Sequence, residues 1–180
     1  MTLGLGLDAA GKAGWVGVVA GDQGFVSAHL GPTVRAVVAE VEEVLGSALG
    51  VIAVDIPIGL VDAPVRSADV RAREYVGPRR SSVFPAPHPE VVHLTSHAAV
   101  NARLAELGLP LVSVQAFHLF ARVREVAELT DDPRVVEAFP EASFRALLGA
   151  PLMSSKKTWN GQQQRRSLLA SALPPIVVPD

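Results

Sequence analysis

The chain has 180 residues, 49% of them hydrophobic and 19% charged, with a formal net charge of -2. That length suits one domain with one ordinary core. The absence of cysteine excludes disulfides, thiolate zinc sites and a cysteine nucleophile, so any chemistry must use oxygen, nitrogen or a hard metal. No apolar stretch approaches the roughly 18 residues of a membrane span, and the N-terminus lacks a signal-peptide pattern, so a cytoplasmic protein with no membrane partner is expected. The net charge gives no whole-molecule attraction for nucleic acid, which would need a local basic patch.

The chain opens with short runs rich in Val, Leu and aromatic residues, Leu3 to Leu7, Gly14 to Ala20 and Gly24 to Leu30, separated by glycine-containing turns. This pattern predicts a β-meander. From Thr33 to Leu49 the residues Val34, Val37, Val38, Val41, Val44, Leu45 and Leu49 recur at helical spacing, with Glu40, Glu42 and Glu43 opposite them. An amphipathic helix is expected there. Gly50 breaks it, and the continuous apolar run Val51 to Ile56 reads as a strand buried on both faces.

The segment from about 61 to 90 is dense in Arg, Ser and Pro and reads as an inserted loop region with one short helix. Helices are expected at about Val91 to Leu107 and Ser113 to Leu129, a strand at Arg134 to Phe139, and a last helix at Gln162 to Leu173. The sum is a single α/β domain over residues 1–180, with a mixed five-stranded sheet and flanking helices.

Some motifs fail on inspection. Gly6 to Ala13 nearly spells a phosphate-binding P-loop, but Ala13 stands where a Ser or Thr should ligate magnesium and a strand follows where a helix should. His93 and His97 are four apart, yet Leu94 occupies the position of the metalloprotease Glu. No Gly-x-Ser-x-Gly elbow occurs, so Ser/His/Asp catalysis has no local support.

The carboxylates carry more. Asp8 closes the first strand and Asp55 the fourth; if these strands are parallel neighbours, both carboxylates meet at the sheet edge where open α/β sheets bind ligands. Carboxylates so close repel unless they share a cation or a proton, and Mg²⁺ or Mn²⁺ is the natural hard ion. Glu137, on the late strand, is the expected third metal ligand, and Glu141 is a fourth catalytic candidate, unless it serves only the positive end of its helix.

The sequence resembles the predicted RNase H-like nucleases grouped as domain of unknown function 429. The stretches that carry this are Gly6-Leu-Asp8 with Lys12-Ala-Gly-Trp15-Val-Gly17, Asp55-Ile-Pro57-Ile-Gly59-Leu, and Gly77-Pro-Arg79-Arg-Ser-Ser82-Val-Phe84-Pro-Ala-Pro-His88. They continue with Gln115-Ala-Phe117, Arg124-Glu125-Val, Glu137-Ala-Phe-Pro140-Glu141-Ala-Ser143-Phe144, and Ser155-Lys156-Lys157-Thr158 followed by Gly161 and Arg165. The resemblance implies a ribonuclease-H-like fold and metal-dependent nuclease or phosphodiesterase activity, with Asp8, Asp55, Glu137 and Glu141 on the acidic positions. Phe139 stands where members usually carry His, and Ala127 where they usually carry Asp. Members also continue into a helix with a further acidic residue, which leaves two expectations: a sequence that stops short of that helix, or a site with one metal ligand missing.

The candidate phosphate- or substrate-binding residues are Lys12, Arg66, Arg79, Ser82, His88, Lys156 and Lys157, with nucleic acid or a nucleotide as the partner. Against this stands a solvated loop in which Asp62, Asp69 and Glu74 offset the arginines. Two other function classes remain: a phosphotransferase or NTPase of the actin-like group, and a catalytically silent binding module.

Overall fold

The computed structural model describes residues 2–172. Its centre is a five-stranded sheet of order β3-β2-β1-β4-β5, built from β1 (Gly4–Ala9), β2 (Trp15–Gly21), β3 (Gly24–Gly31), β4 (Val51–Val54) and β5 (Val135–Glu137). The first three strands form the antiparallel meander, while β4 and β5 run parallel to β1. Tight turns suffice to reverse a strand, but a parallel return needs a crossover, and helices supply both. Helix α1 (Val34–Leu45) connects β3 to β4, and α2 (Ser67–Val76), α3 (Pro89–Val92), α4 (His97–Glu106), α5 (Val114–Phe117) and α6 (Phe120–Ala127) lie between β4 and β5. Then come α7 (Pro140–Leu148) and α8 (Trp159–Ala172).

Strand alternation decides which side of the sheet is covered. Leu5 and Leu7, Val19, Ile52 and Val54 point to one face and pack with Val37 and Val41 of α1 and Val123 and Val126 of α6. The alternate residues Gly6, Val18, Ala53 and Val136 face the other side, where Val18 and Val136 remain exposed. Asp8 and Asp55 continue this second, open face at the C-terminal ends of β1 and β4.

Trp15 is wholly buried and donates its indole N–H to Glu125 Oε1 at 2.9 Å; the same oxygen accepts the Val34 N–H at 2.7 Å. One carboxylate of α6 thus ties the start of β2 to the first turn of α1.

The expected helix from Val91 to Leu107 is two helices, because the Ser96 hydroxyl starts α4 afresh by accepting the Ala99 N–H. His93 ends α3 and His97 opens α4, so they share no helix. Ser113 likewise caps α5, which stops before α6 begins at Phe120. Strand β4 ends at Val54, two residues before the expected Ile56. Helix α8 begins at Trp159 rather than Gln162; its expected last residue, Leu173, lies outside the described residues. Among the described residues no helix is long and apolar enough to cross a membrane.

Candidate active site

The parallel register of β1 and β4 pairs Leu7 with Val54, and the Asp55 N–H donates to Leu7 O at 3.0 Å. The next residue on each strand is Asp8 and Asp55, and neighbouring strands lie about 4.8 Å apart. Both line a hollow of about 200 Å³, whose other polar walls are Ser82, Glu141 and Lys156. Phe84, Leu119 and Phe139 make its apolar side. Burial first and the charge of Asp8 second push the Asp55 carboxyl up to about 6, against the opposing pull of the Lys156 ammonium. This is the electrostatic strain that closely held carboxylates create.

Glu137 does not complete a triad with them. It stands opposite Val54 in the register of β4 and β5, and its carboxylate turns to the Arg66 guanidinium at 2.6 and 2.7 Å. It also accepts the Ile58 N–H at 2.9 Å. The reading of Glu137 as a metal ligand is therefore corrected: its oxygens already hold a cation, and that cation is Arg66.

The same geometry corrects Arg66 as a phosphate contact. Its guanidinium donates to Asp69 Oδ1 through Nε and Nη2, to Glu137 through both terminal nitrogens, and to Ile58 O through Nη1. These bonds account for the five N–H groups an arginine offers. Asp69, expected only as a solvated offset to the arginines, is 2% exposed, and its second oxygen accepts the Ala86 N–H at 2.8 Å. The signal for the pairing was the i,i+3 spacing of Arg66 and Asp69 at the start of α2. Together these groups fasten the segment after β4 to the end of β5.

Glu141 is also taken. At 5% exposure it accepts from Arg165 Nη2 at 2.6 Å, so its role as a free catalytic acid is corrected to that of a buried ion pair joining α7 and α8. Arg165 Nη1 reaches Gly161 O and Ser154 O at 2.8 and 3.2 Å. A Cβ at Gly161 would stand 1.9 Å from Ser155 O, so only glycine lets α8 approach the preceding loop this closely. The Thr158 hydroxyl donates to Ser155 O and accepts the Gly161 N–H. The Ser155-Lys156-Lys157-Thr158 turn is thereby fixed, with Lys156 placed on the Asp8–Asp55 hollow and Lys157 exposed beside it.

The remaining polar candidates are scattered. Ser82 lines the hollow, but its hydroxyl donates to Arg79 O. Arg79, on the 3-10 helix Gly77–Ser82, is half-buried. Its Nε is buried and unpaired among the described residues. His88 is not brought to the Asp8–Asp55 hollow: its Nε2 lies 3.1 Å from Asp62 and its Nδ1 accepts the Glu90 N–H that starts α3. It lines a separate, proline-walled groove with Pro64 and Pro110. Lys12 is exposed on the 3-10 turn Gly11–Ala13 after β1.

Among the described residues no group of three or more His, Asp or Glu side chains is gathered as a metal cage. The pair Asp8 and Asp55 offers two hard oxygen ligands, a donor set of the kind that suits one Mg²⁺ or Mn²⁺. The other two acids, Glu137 and Glu141, are paired with Arg66 and Arg165.

No curated protein and no solved structure matches the chain. The family model described as Protein of unknown function (DUF429) matches residues 6–180, a span that runs from the first strand through the acidic pair to the Lys156 loop; the chain belongs to this family.

Proposed function

We propose that the chain is a metal-dependent phosphodiesterase of ribonuclease-H-like type, acting in the cytoplasm on a nucleic acid or nucleotide. The observation that carries this reading is the pairing of Asp8 with Asp55 at the ends of adjacent parallel strands, with Lys156 on the same hollow. Asp8 and Asp55 would hold one Mg²⁺ or Mn²⁺, which when bound supplies Lewis-acid polarisation of a phosphoryl oxygen. Lys156 attracts the phosphate as a point charge, and the apolar wall of Phe84, Leu119 and Phe139 limits water around it.

The pairing of Glu137 with Arg66 and of Glu141 with Arg165 favours a second reading, a binding module that holds a phosphate ligand without cleaving it. Calorimetry with Mn²⁺ and a cleavage assay on single-stranded and duplex oligonucleotides separate the two. Metal binding with metal-dependent cleavage, both lost in Asp55→Asn, supports the phosphodiesterase. Metal or phosphate binding without cleavage supports the binding module. Absence of both sinks the site.

A further inference from the structure

A second constellation stands at the far edge of the sheet, on β3, with β2 between it and the strand that carries Asp8. Ser27 and His29 lie two apart on β3 and so project from the same face, the one that α1 covers. The Ser27 hydroxyl is 2.8 Å from His29 Nε2, and His29 Nδ1 is 2.9 Å from Glu40 Oε1 on α1. An ionised carboxylate only accepts, so Glu40 fixes the imidazole proton on Nδ1. With the ring in that tautomer Nε2 accepts, from the Ser27 hydroxyl. The atoms and the proton order are those a serine nucleophile needs from its base and from the residue that orients the base.

The surroundings favour chemistry over a surface staple. The His29 side chain is 7% exposed, so the ring is locked in place, while Ser27 is half-buried and reachable. The register between β2 and β3 slips between Val19 and Ala20, opposite Ser27 and Phe25. A bulge of this kind re-aims the side chain beside it. Among the described residues β3 is an edge strand, with no further strand paired to its outer side. No linear motif announces the trio, since a strand spacing of two and a residue on the following helix match no elbow.

We infer that Ser27, His29 and Glu40 form a serine-hydrolase-type site for small carboxylic esters, distinct from the Asp8–Asp55 hollow. Ser27 Oγ bonds to the ester carbonyl carbon as its proton passes to His29 Nε2. The carbon–oxygen bond to the leaving alcohol breaks and His29 returns the proton to that alcohol. Water then cleaves the acyl–Ser27 ester by the same proton path, giving the acid. Glu40 holds the imidazolium and touches no substrate, so it is a positioning residue.

The test is covalent. The full chain is incubated with a fluorophosphonate probe and with an aryl acetate, both in the presence of EDTA to silence any metal-dependent activity. The expected result is a probe adduct on Ser27 by peptide mass spectrometry, no adduct in Ser27→Ala, and labelling slowed about 100-fold in His29→Gln and at least about 10-fold in Glu40→Gln. Glu40 is half exposed, so its substitution does not endanger folding, and a melting curve on each variant verifies this. No adduct on Ser27 overturns the inference. So does an aryl-acetate rate unchanged in Ser27→Ala, or a labelling rate that ignores both His29→Gln and Glu40→Gln.

Discussion

Glu137 stands opposite Val54 in the register of β4 and β5, one residue short of Asp55, and its two oxygens close on the Arg66 guanidinium at 2.6 and 2.7 Å. A one-residue offset in a parallel sheet changes the face a side chain serves, because successive residues point to opposite sides. The carboxylate therefore works as a fastener. Replacing Glu137 by Gln should destabilise the chain by about 1–3 kcal/mol, the range for losing charge-assisted hydrogen bonds. It should change Mn²⁺ affinity less than about 10-fold, whereas losing a true ligand exceeds that. Urea melts and calorimetry on one variant decide between the roles.

Asp55 gives a stability signature of opposite sign. Its carboxyl is raised from 3.8 to about 6 in the folded chain, by burial first and by Asp8 second. Between those values the folded chain keeps a proton that the unfolded chain has released, so this group's contribution falls as pH rises through that window. Above about 6 the full penalty of two neighbouring charges is present. Asp55→Asn removes it. In EDTA the variant should melt higher than the parent above pH 6, by about 2–4 °C for each kcal/mol relieved, and the gap should close as pH falls toward 4. A variant that melts lower at neutral pH would show that Asp55 is structural.

The same proton competes with metal. If Asp55 is a ligand, Mn²⁺ must displace its proton below about 6. The apparent association constant should then drop about tenfold per pH unit below 6 and level off above it. Isothermal titrations in buffers of different ionisation enthalpy count the proton released. A constant independent of pH across that interval would remove Asp55 from the coordination sphere.

The succession of strands and the acids Asp8 and Asp55 at the ends of two of them were legible because each rests on a local pattern of apolar runs and glycine turns; that β1 and β4 are parallel neighbours was only a condition, which the register supplies. The fate of Glu137 was not legible, because it depends on the β4–β5 register and on Arg66, which lies 71 residues earlier in the chain. Glu141 reads in sequence as an acid near a helix start, and its buried partner Arg165 comes 24 residues later, on another helix. Charge patterning along the chain shows that arginines are present but not which carboxylate each one neutralises. The breaks before α4 and before α6 were missed for a smaller reason: a single capping serine, Ser96, marks the first, no side-chain cap marks the second, and the helical apolar spacing continues on both sides.

The two lysines of the Ser155–Thr158 turn make the sharpest comparison. Both are exposed and adjacent, yet only Lys156 lines the hollow with Asp8 and Asp55, and it is the cation whose field opposes the rise of Asp55. A phosphate bound at the acidic pair would sit within reach of Lys156, while Lys157 faces solvent beside it. Each phosphate contact releases about one counterion, so its loss flattens the slope of log affinity against log salt by about one unit and weakens all sequences alike. Lys156→Ala should show this loss for an oligonucleotide in the presence of Mn²⁺, and Lys157→Ala should leave the slope within about half a unit of the parent. Lys156→Ala should also raise the Asp55 carboxyl further, since the opposing charge is gone, and shift the pH profile of Mn²⁺ binding upward. A salt slope that responds to Lys157 and ignores Lys156 would place the phosphate outside the hollow and separate nucleic-acid binding from the acidic pair.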